Sequence, residues 1–161
     1  MSSARRISAW IFGLLLTVLL AACAGPRYTQ MANSMPPIPA GQGRIVFYTP
    51  LGSAAGPSGQ PRIHLNKEVV GRAKSGGFFY VDRPAGSYVI TDRSWTSDGL
   101  SFMLNPGETR YVRFAGSSLG STGAGKLDIE LVDSPSEAQR DLLSLRYFGG
   151  TPAVQSAAQV R

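Results

Sequence analysis

The pattern of apolar and polar residues divides the chain into three parts. Residues 9–22 are apolar except for Thr17 and show no alternation. Residues 24–42 follow neither the helical nor the strand period, and three closely spaced prolines favour an extended, semi-stiff tether there. From Gly43 onward, apolar and polar residues alternate with a period of two, which is typical of strands that bury one face.

The alternating region predicts seven or eight short strands separated by turns and loops. The predicted strands are RIVFYTP, RIHL, EVVGRA, FFYVD, SYVITDR, LSFMLN, TRYVRFA and KLDIELV. Asn66 and Lys67 predict a tight hairpin turn, although Lys67 stands where a glycine is most favoured. Pro106 and Gly107 predict a second hairpin, between LSFMLN and TRYVRFA.

After the last strand the period becomes helical. Ser134–Glu137 fits a capping box with proline at the first helical position. Ala138, Leu142 and Leu145 then form one apolar stripe, and Gly149 with the next glycine is expected to end the helix.

These elements predict a mainly β fold. We expect an antiparallel two-sheet sandwich of about seven strands with one C-terminal α-helix, preceded by a signal-peptide helix and a flexible tether. The predicted organisation is a signal peptide over 1–22, a lipidated N-terminus and tether over 23–42, the sandwich with its helix over 43–150, and a disordered tail over 151–161.

The N-terminus has the pattern of a secretory signal peptide. Arg5 and Arg6 precede the apolar run of residues 9–22, and small residues follow it. Fourteen residues in a helix span about 21 Å, which is shorter than the roughly 30 Å hydrocarbon core of a bilayer. The run therefore predicts a cleaved leader and not a membrane span.

The end of the leader resembles the lipobox of bacterial lipoproteins. Leu20, Ala21, Ala22 and Cys23 supply an aliphatic residue, two small residues and a cysteine. This resemblance implies cleavage between Ala22 and Cys23 and acylation of the Cys23 sulfur, with chains such as palmitate that attach the protein to the membrane. Since the chain has one cysteine, no intrachain disulfide competes with that role.

The residue after Cys23 bears on localisation. In lipoproteins of bacteria with two membranes, an aspartate there usually marks retention in the inner membrane, and this chain has Ala24. The resemblance therefore implies a lipid-anchored protein of the cell envelope, in the outer membrane and facing the periplasm.

The charge distribution argues against nucleic acid as a partner. The formal net charge is +6, and removal of Arg5 and Arg6 from the 16 basic residues leaves 14 against 10 acidic ones. The basic residues are scattered, with no stripe interleaved with aromatic residues. We expect a solvated surface with some affinity for anionic lipid or polyanion.

The domain resembles a known family of bacterial lipoproteins, DUF2846. GRIVFYTP, then IHLNKEVVGRAKSGGFFYVDRPAGSYVI, then LNPGETRYVRF carry the resemblance. It implies a transthyretin-like β-sandwich, and the middle block is also similar to PEGA modules. The chain departs from both at Asn66 and Lys67, where an Asp-Gly pair is usual. The resemblance implies no catalytic residue.

Two short motifs in the glycine-serine loop do not predict chemistry. GSSLG, residues 116–120, matches a nucleophile elbow, but the one histidine, His64, precedes it and sits at a polar position of a strand. GSTGAGK, residues 120–126, matches a P-loop core, but Leu127 replaces the hydroxyl that would hold Mg²⁺, and a strand follows. One histidine and one acylated cysteine do not make a zinc site, so we expect neither metal nor cofactor.

Trp95 and Arg93 are the candidate contacts for a partner. They lie in TDRSWTSDG, a polar segment, where an aromatic ring beside an arginine can stack on a sugar or anchor a protein. Alternatively, Trp95 caps an open end of the sandwich. We expect a non-enzymatic envelope lipoprotein whose sandwich binds a protein or glycan partner. The alternative is a small cell-envelope hydrolase that acts through carboxylates alone.

Overall fold

A computed structural model describes residues 25–53, 60–92, 99–116 and 127–149. Nine strands and two helices occur within these ranges. In chain order they are α1 (Tyr28–Met31), β1 (Gln42–Thr49), β2 (Arg62–Leu65), β3 (Glu68–Arg72), β4 (Gly77–Pro84), β5 (Gly86–Thr91), β6 (Leu100–Leu104), β7 (Thr109–Gly116), β8 (Leu127–Val132), α2 (Pro135–Leu142) and β9 (Arg146–Tyr147).

The strands form two sheets, which confirms the predicted β-sandwich with a C-terminal helix. Sheet A has the order β8-β7-β1-β4-β9, and sheet B has the order β3-β2-β5-β6. Most neighbouring strands are antiparallel as predicted, but β1 and β7 are parallel, and so are β4 and β9.

The parallel pairing of β1 and β7 follows from a turn that changes sheets. Pro106 and Gly107 do not close the predicted hairpin, because β6 lies in sheet B and β7 in sheet A. The Gly107 amide donates to the Gln42 carbonyl (2.7 Å), and the Arg44 amide donates to the Glu108 carbonyl (2.8 Å). The turn is thereby held at the start of β1, so β7 runs in the same direction as β1.

The main core lies between the two sheets. Alternate residues of β1, β4 and β7 meet alternate residues of β2, β5 and β6 there, as the period of two requires. Its buried aromatic residues include Phe47, whose ring stacks on Phe79 at 4.8 Å and on Phe114 at 5.9 Å between centroids. The larger aliphatic residues buried in this core are Ile45, Ile63, Leu65, Val81, Ile90, Leu104, Val112 and Leu127.

A third layer covers the other face of sheet A. Ala138, Leu142 and Leu145, the predicted apolar stripe, are each fully buried against this face. Tyr48 and Tyr111 of sheet A are in the same cluster. Because both faces of sheet A are covered, β1 is buried at every residue from Gly43 to Thr49.

The predicted tether differs from the structure over residues 25–41, which lie on sheet A. Tyr28 packs edge-on against Phe78 with ring centroids 5.3 Å apart, and the Tyr28 amide donates to the Leu145 carbonyl (2.9 Å). Farther along, the Arg44 guanidinium donates to the Pro36 carbonyl (2.9 Å). Apolar side chains and backbone hydrogen bonds distributed along the segment hold it on the sheet, and the pattern of prolines did not reveal them.

Helix α2 begins as predicted and ends earlier. Ser134 caps it, with its hydroxyl accepting from the Glu137 amide (3.4 Å). The helix ends at Leu142 and not at the glycines near 149, because the chain then pairs with β4 as β9. The Arg146 amide donates to the Gly76 carbonyl (3.0 Å), which requires an extended backbone there.

Candidate binding surface

The outer faces of the two sheets differ in what covers them. α2 and residues 25–41 cover the outer face of sheet A. The outer face of sheet B carries three exposed apolar side chains: Val69 on β3 (50% exposed), Val89 on β5 (38%) and Met103 on β6 (53%). We call this surface the open face.

Strand alternation positions these side chains. Tyr88, Ile90 and Phe102 point into the main core, so Val89 and its neighbours at odd positions of β5 and β6 point outward. Val89 lies opposite Ser101 in the ladder, and Met103 lies opposite Ser87. The open face therefore mixes aliphatic side chains with small hydroxyl residues.

The β2–β3 turn holds the open face in register. The Asn66 side-chain oxygen accepts from the Val89 amide (2.9 Å), and the Asn66 amide donates to the Val89 carbonyl (2.9 Å). The Asn66 side-chain nitrogen also donates to the Ser87 carbonyl (3.3 Å). Asn66 thereby continues the pairing of β2 and β5 beyond the end of β2.

His64 lies on β2 with its side chain directed away from the main core, as its polar position in RIHL predicts. It is nevertheless buried, with 8% of its surface exposed. Its Nδ1 has no hydrogen-bond partner among the described residues. His64 is therefore not one of the exposed groups of the open face.

Most of the residues that the sequence nominated lie outside the described residues. Ala22 and Cys23 precede the first described residue, Gly25, and Trp95 and Arg93 fall between Asp92 and Gly99. The two rejected loop motifs, over residues 116–126, also lie outside the described residues, except for Gly116 at the end of β7. The roles of these residues stay predictions.

Carboxylates do converge, as the alternative hypothesis required, but they converge on an arginine. The Arg113 guanidinium contacts Glu130 at 2.8 Å, Glu137 at 3.1 Å and Asp141 at 3.3 Å. Tyr48 also donates to Asp141 (3.1 Å). We call these five residues the Arg113 network.

The Arg113 network joins α2 to sheet A. Arg113 lies on β7, Tyr48 on β1 and Glu130 on β8, and the remaining two carboxylates lie on α2. Its hydrogen bonds, mainly the one with Glu130, raise the pKa of Arg113 further above its ordinary value. Burial, followed by the hydrogen bond to Asp141, raises the pKa of Tyr48 well above its ordinary value. The guanidinium offsets part of the negative charge of the three carboxylates beside it, and these contacts account for the cluster as a structural link.

Two further properties bear on candidate chemistry. In the part of the chain that the structure describes, no group of three or more His, Cys, Asp or Glu residues could hold a metal ion. No helix within the same residues is both long enough and apolar enough to cross a membrane.

What sequence reasoning missed is the open face. Alternation places Val69, Val89 and Met103 on strands, and it separates Met103 from the core residue Phe102. It does not show that the outer face of sheet A is covered while the outer face of sheet B is exposed.

Three comparisons with known proteins were made, and one of them found a match. Searches of curated proteins and of solved structures found no match. A family model described as a protein of unknown function, DUF2846, matches residues 39–125, which is more than half of the chain. The match spans β1 to β7, which include strands of both sheets, and it ends before β8. The chain belongs to the DUF2846 family.

Proposed function

We propose that the protein is a lipid-anchored, non-enzymatic lipoprotein of the bacterial cell envelope, which uses the open face of its sandwich to bind a partner protein. The anchor is acylated Cys23, and the location is the outer membrane on its periplasmic side. The observation that carries the binding role is the difference between the sheets: the chain covers the outer face of sheet A and leaves apolar side chains exposed on sheet B.

The side chains of the open face favour a protein over a glycan as the partner. Val69, Val89 and Met103 offer aliphatic and thioether surface, and methionine is enriched in protein interfaces. Serine hydroxyls between them supply polar contacts of the kind that surround an interface core. A glycan would use planar aromatic rings, and the candidate for that contact is Trp95.

The anchoring part of the proposal is tested by Cys23→Ala. We expect the unchanged protein to carry an acyl label and to fractionate with membranes, and the variant to lose both. An unchanged protein without acyl label, together with a variant that remains in the membrane fraction, would contradict lipid anchoring.

The binding part is tested by crosslinking in intact cells. A photoreactive amino acid is placed at Met103 on the open face or, as the control, at Arg140, which is exposed on α2. We expect one discrete protein adduct from the Met103 position, its loss in a chain that also carries Val89→Asp, and no such adduct from Arg140. Equal adducts from both positions, or an adduct unaffected by Val89→Asp, would show that the open face is not the binding site. An adduct that lysozyme-type digestion of cell wall removes would instead identify a glycan.

A further inference from the structure

The end of the sandwich nearest the anchor has the composition of a membrane-contacting surface. The chain leaves β1 and β3 at this end. The Ser75 hydroxyl donates to the Pro50 carbonyl (3.5 Å), and the Gly76 amide donates to the Thr49 carbonyl (3.0 Å). Arg146 of β9 joins them, since its amide donates to the Gly76 carbonyl. We call this the anchor end.

The chain enters the fold at the anchor end. The Gly25 carbonyl accepts from the Arg146 guanidinium (3.2 Å), and the Pro26 carbonyl accepts from the Tyr147 amide (2.8 Å). Cys23 is two residues before Gly25, and two residues span at most about 7 Å. An acyl group on Cys23 would therefore be attached within one short covalent step of the domain and not at the end of a long tether.

Exposed apolar surface lies at the anchor end. Leu51 is 67% exposed beside Gly76, and Leu143 is 53% exposed in the turn that leads from α2 to β9. Phe148 is half-buried, with the Lys74 ammonium 3.7 Å from its ring centroid. These side chains belong neither to the core nor to the open face.

The anchor end is basic. Arg62 and Arg72 lie opposite each other where β2 begins and β3 ends. Across this end the described basic residues include Arg27, Arg62, Arg72, Lys74 and Arg146, and the described acidic residues include Asp92, Asp128 and Asp141, the last of which contacts Arg113. Asp92 is already engaged, because its carboxylate accepts from the Leu127 amide (3.2 Å).

The opposite end of the sandwich is different in charge. The turns there contain Lys67 beside Glu68, and Glu108 pairs with Arg110 (2.8 Å). Glu68 in turn contacts Arg83 (3.1 Å). Glu68 and Glu108 are each paired with an arginine at that end, so among the described residues the excess of positive charge lies where the anchor is attached.

We propose that the anchor end rests on the bilayer surface, with Leu51 in the interfacial region and the surrounding basic side chains against anionic lipid headgroups. This inference rests on the proposed lipid anchor and goes further by assigning the orientation of the domain. A basic side chain near an anionic membrane surface gains about 1 kcal/mol, and aliphatic side chains in the interface add to it. The open face then stands at the side of the domain, away from the lipid.

The test uses the full, acylated protein reconstituted into vesicles of phosphatidylcholine with phosphatidylglycerol. Because acylation occupies Cys23, a single added cysteine is the free thiol for a spin label. Leu51→Cys is compared with Lys67→Cys at the opposite end. We expect the Leu51→Cys label to collide more with oxygen, which enriches in lipid, and less with a water-soluble nickel chelate.

Two outcomes distinguish failure of the proposed orientation from failure of the proposed lipid anchor. An acylated protein whose two labels are equally accessible to the nickel chelate would overturn the orientation and leave the anchor intact. A Cys23 peptide without acyl groups by mass spectrometry would overturn the anchor and the orientation together.

The electrostatic contribution is tested by Arg62→Glu, with Lys67→Glu as the matched control, each in the Leu51→Cys protein. We expect Arg62→Glu to lower the lipid-contacting population at least about fivefold in vesicles containing phosphatidylglycerol, and to change nothing in phosphatidylcholine alone. Lys67→Glu should have no effect in either. An equal effect of the two variants, or none from Arg62→Glu, would refute the role of the basic groups. Far-UV circular dichroism confirms that each variant is folded.

Discussion

At the residue scale, the Tyr48 side chain joins sheet A to α2. It is buried in β1, packs in the cluster under α2, and donates its hydroxyl to Asp141. Asp141 also contacts Arg113, so the phenol is part of the link between the helix and the sheet. The period of β1 marks alternate positions as buried, but nothing local predicts a partner 93 residues away.

The raised pKa of Tyr48 predicts a loss of stability at alkaline pH. Since the folded state raises this pKa above its ordinary value near 10, the contribution is complete below about pH 10 and is lost as the pH rises through the folded value. We expect the free energy of unfolding, measured by urea titration, to fall above about pH 10. Tyr48→Phe should make that fall shallower.

The variant should also lose about 1 kcal/mol near neutral pH, because the hydrogen bond to Asp141 is absent. Burial raises the pKa of Tyr28, Tyr88 and Tyr147 as well, so part of the alkaline fall should persist in Tyr48→Phe. The same slope in both proteins would show that Tyr48 does not contribute to it.

At the element scale, β7 shows what alternation can and cannot decide. The pattern of RYVRF separates Val112 and Phe114 from Tyr111 and Arg113, and both sets contain an aromatic residue. The structure places the first pair in the main core and the second pair under α2. The choice depends on which layer each side of sheet A meets, and that is not a local property.

The β2–β3 hairpin was predicted from Asn66 and Lys67 and is present. Both residues have positive φ, 49° and 72°, as a tight turn of this kind requires. Asparagine tolerates the left-handed region, and Asn66 forms the hydrogen bonds to β5. For lysine the left-handed backbone is unfavourable.

Lys67→Gly should therefore stabilise the protein. Relief of the left-handed strain at φ 72° is worth about 1 kcal/mol, and the greater freedom of glycine in the unfolded chain offsets part of it. We expect the free energy of unfolding to rise by about 0.5 kcal/mol, measured by urea denaturation. Lys67→Ala, which keeps the strain, is the control and should give no gain. A gain from alanine equal to that from glycine would contradict the explanation.

At the scale of the whole molecule, residues 25–41 join α2 in the third layer, on the outer face of sheet A. They cover Val46 and Tyr80 on sheet A together with α2, and they connect to the fold at β9. The family match begins at residue 39 and ends at 125, so it includes sheet B and three strands of sheet A, but neither β8 and β9 nor most of this third layer.

We expect the packing of residues 25–41 on sheet A to depend most on Tyr28. Tyr28→Ala removes the edge-on contact with Phe78 and should cost about 2 kcal/mol of unfolding free energy. It should also speed tryptic cleavage after Arg27. Tyr28→Phe keeps the ring and should behave nearly as the unchanged protein in both assays. Equal cleavage rates in all three proteins would mean that the contact does not hold the segment.

The sequence by itself determined the features that depend on neighbouring residues. These are the β class, the turn at Asn66, the Ser134 cap and the buried stripe of α2, because each follows from a local period or a local hydrogen bond. Tertiary structure decided the parallel pairing of β1 with β7, the docking of residues 25–41, and which sheet keeps an open face. Those outcomes depend on contacts between residues far apart in the chain, whose energies no local pattern contains.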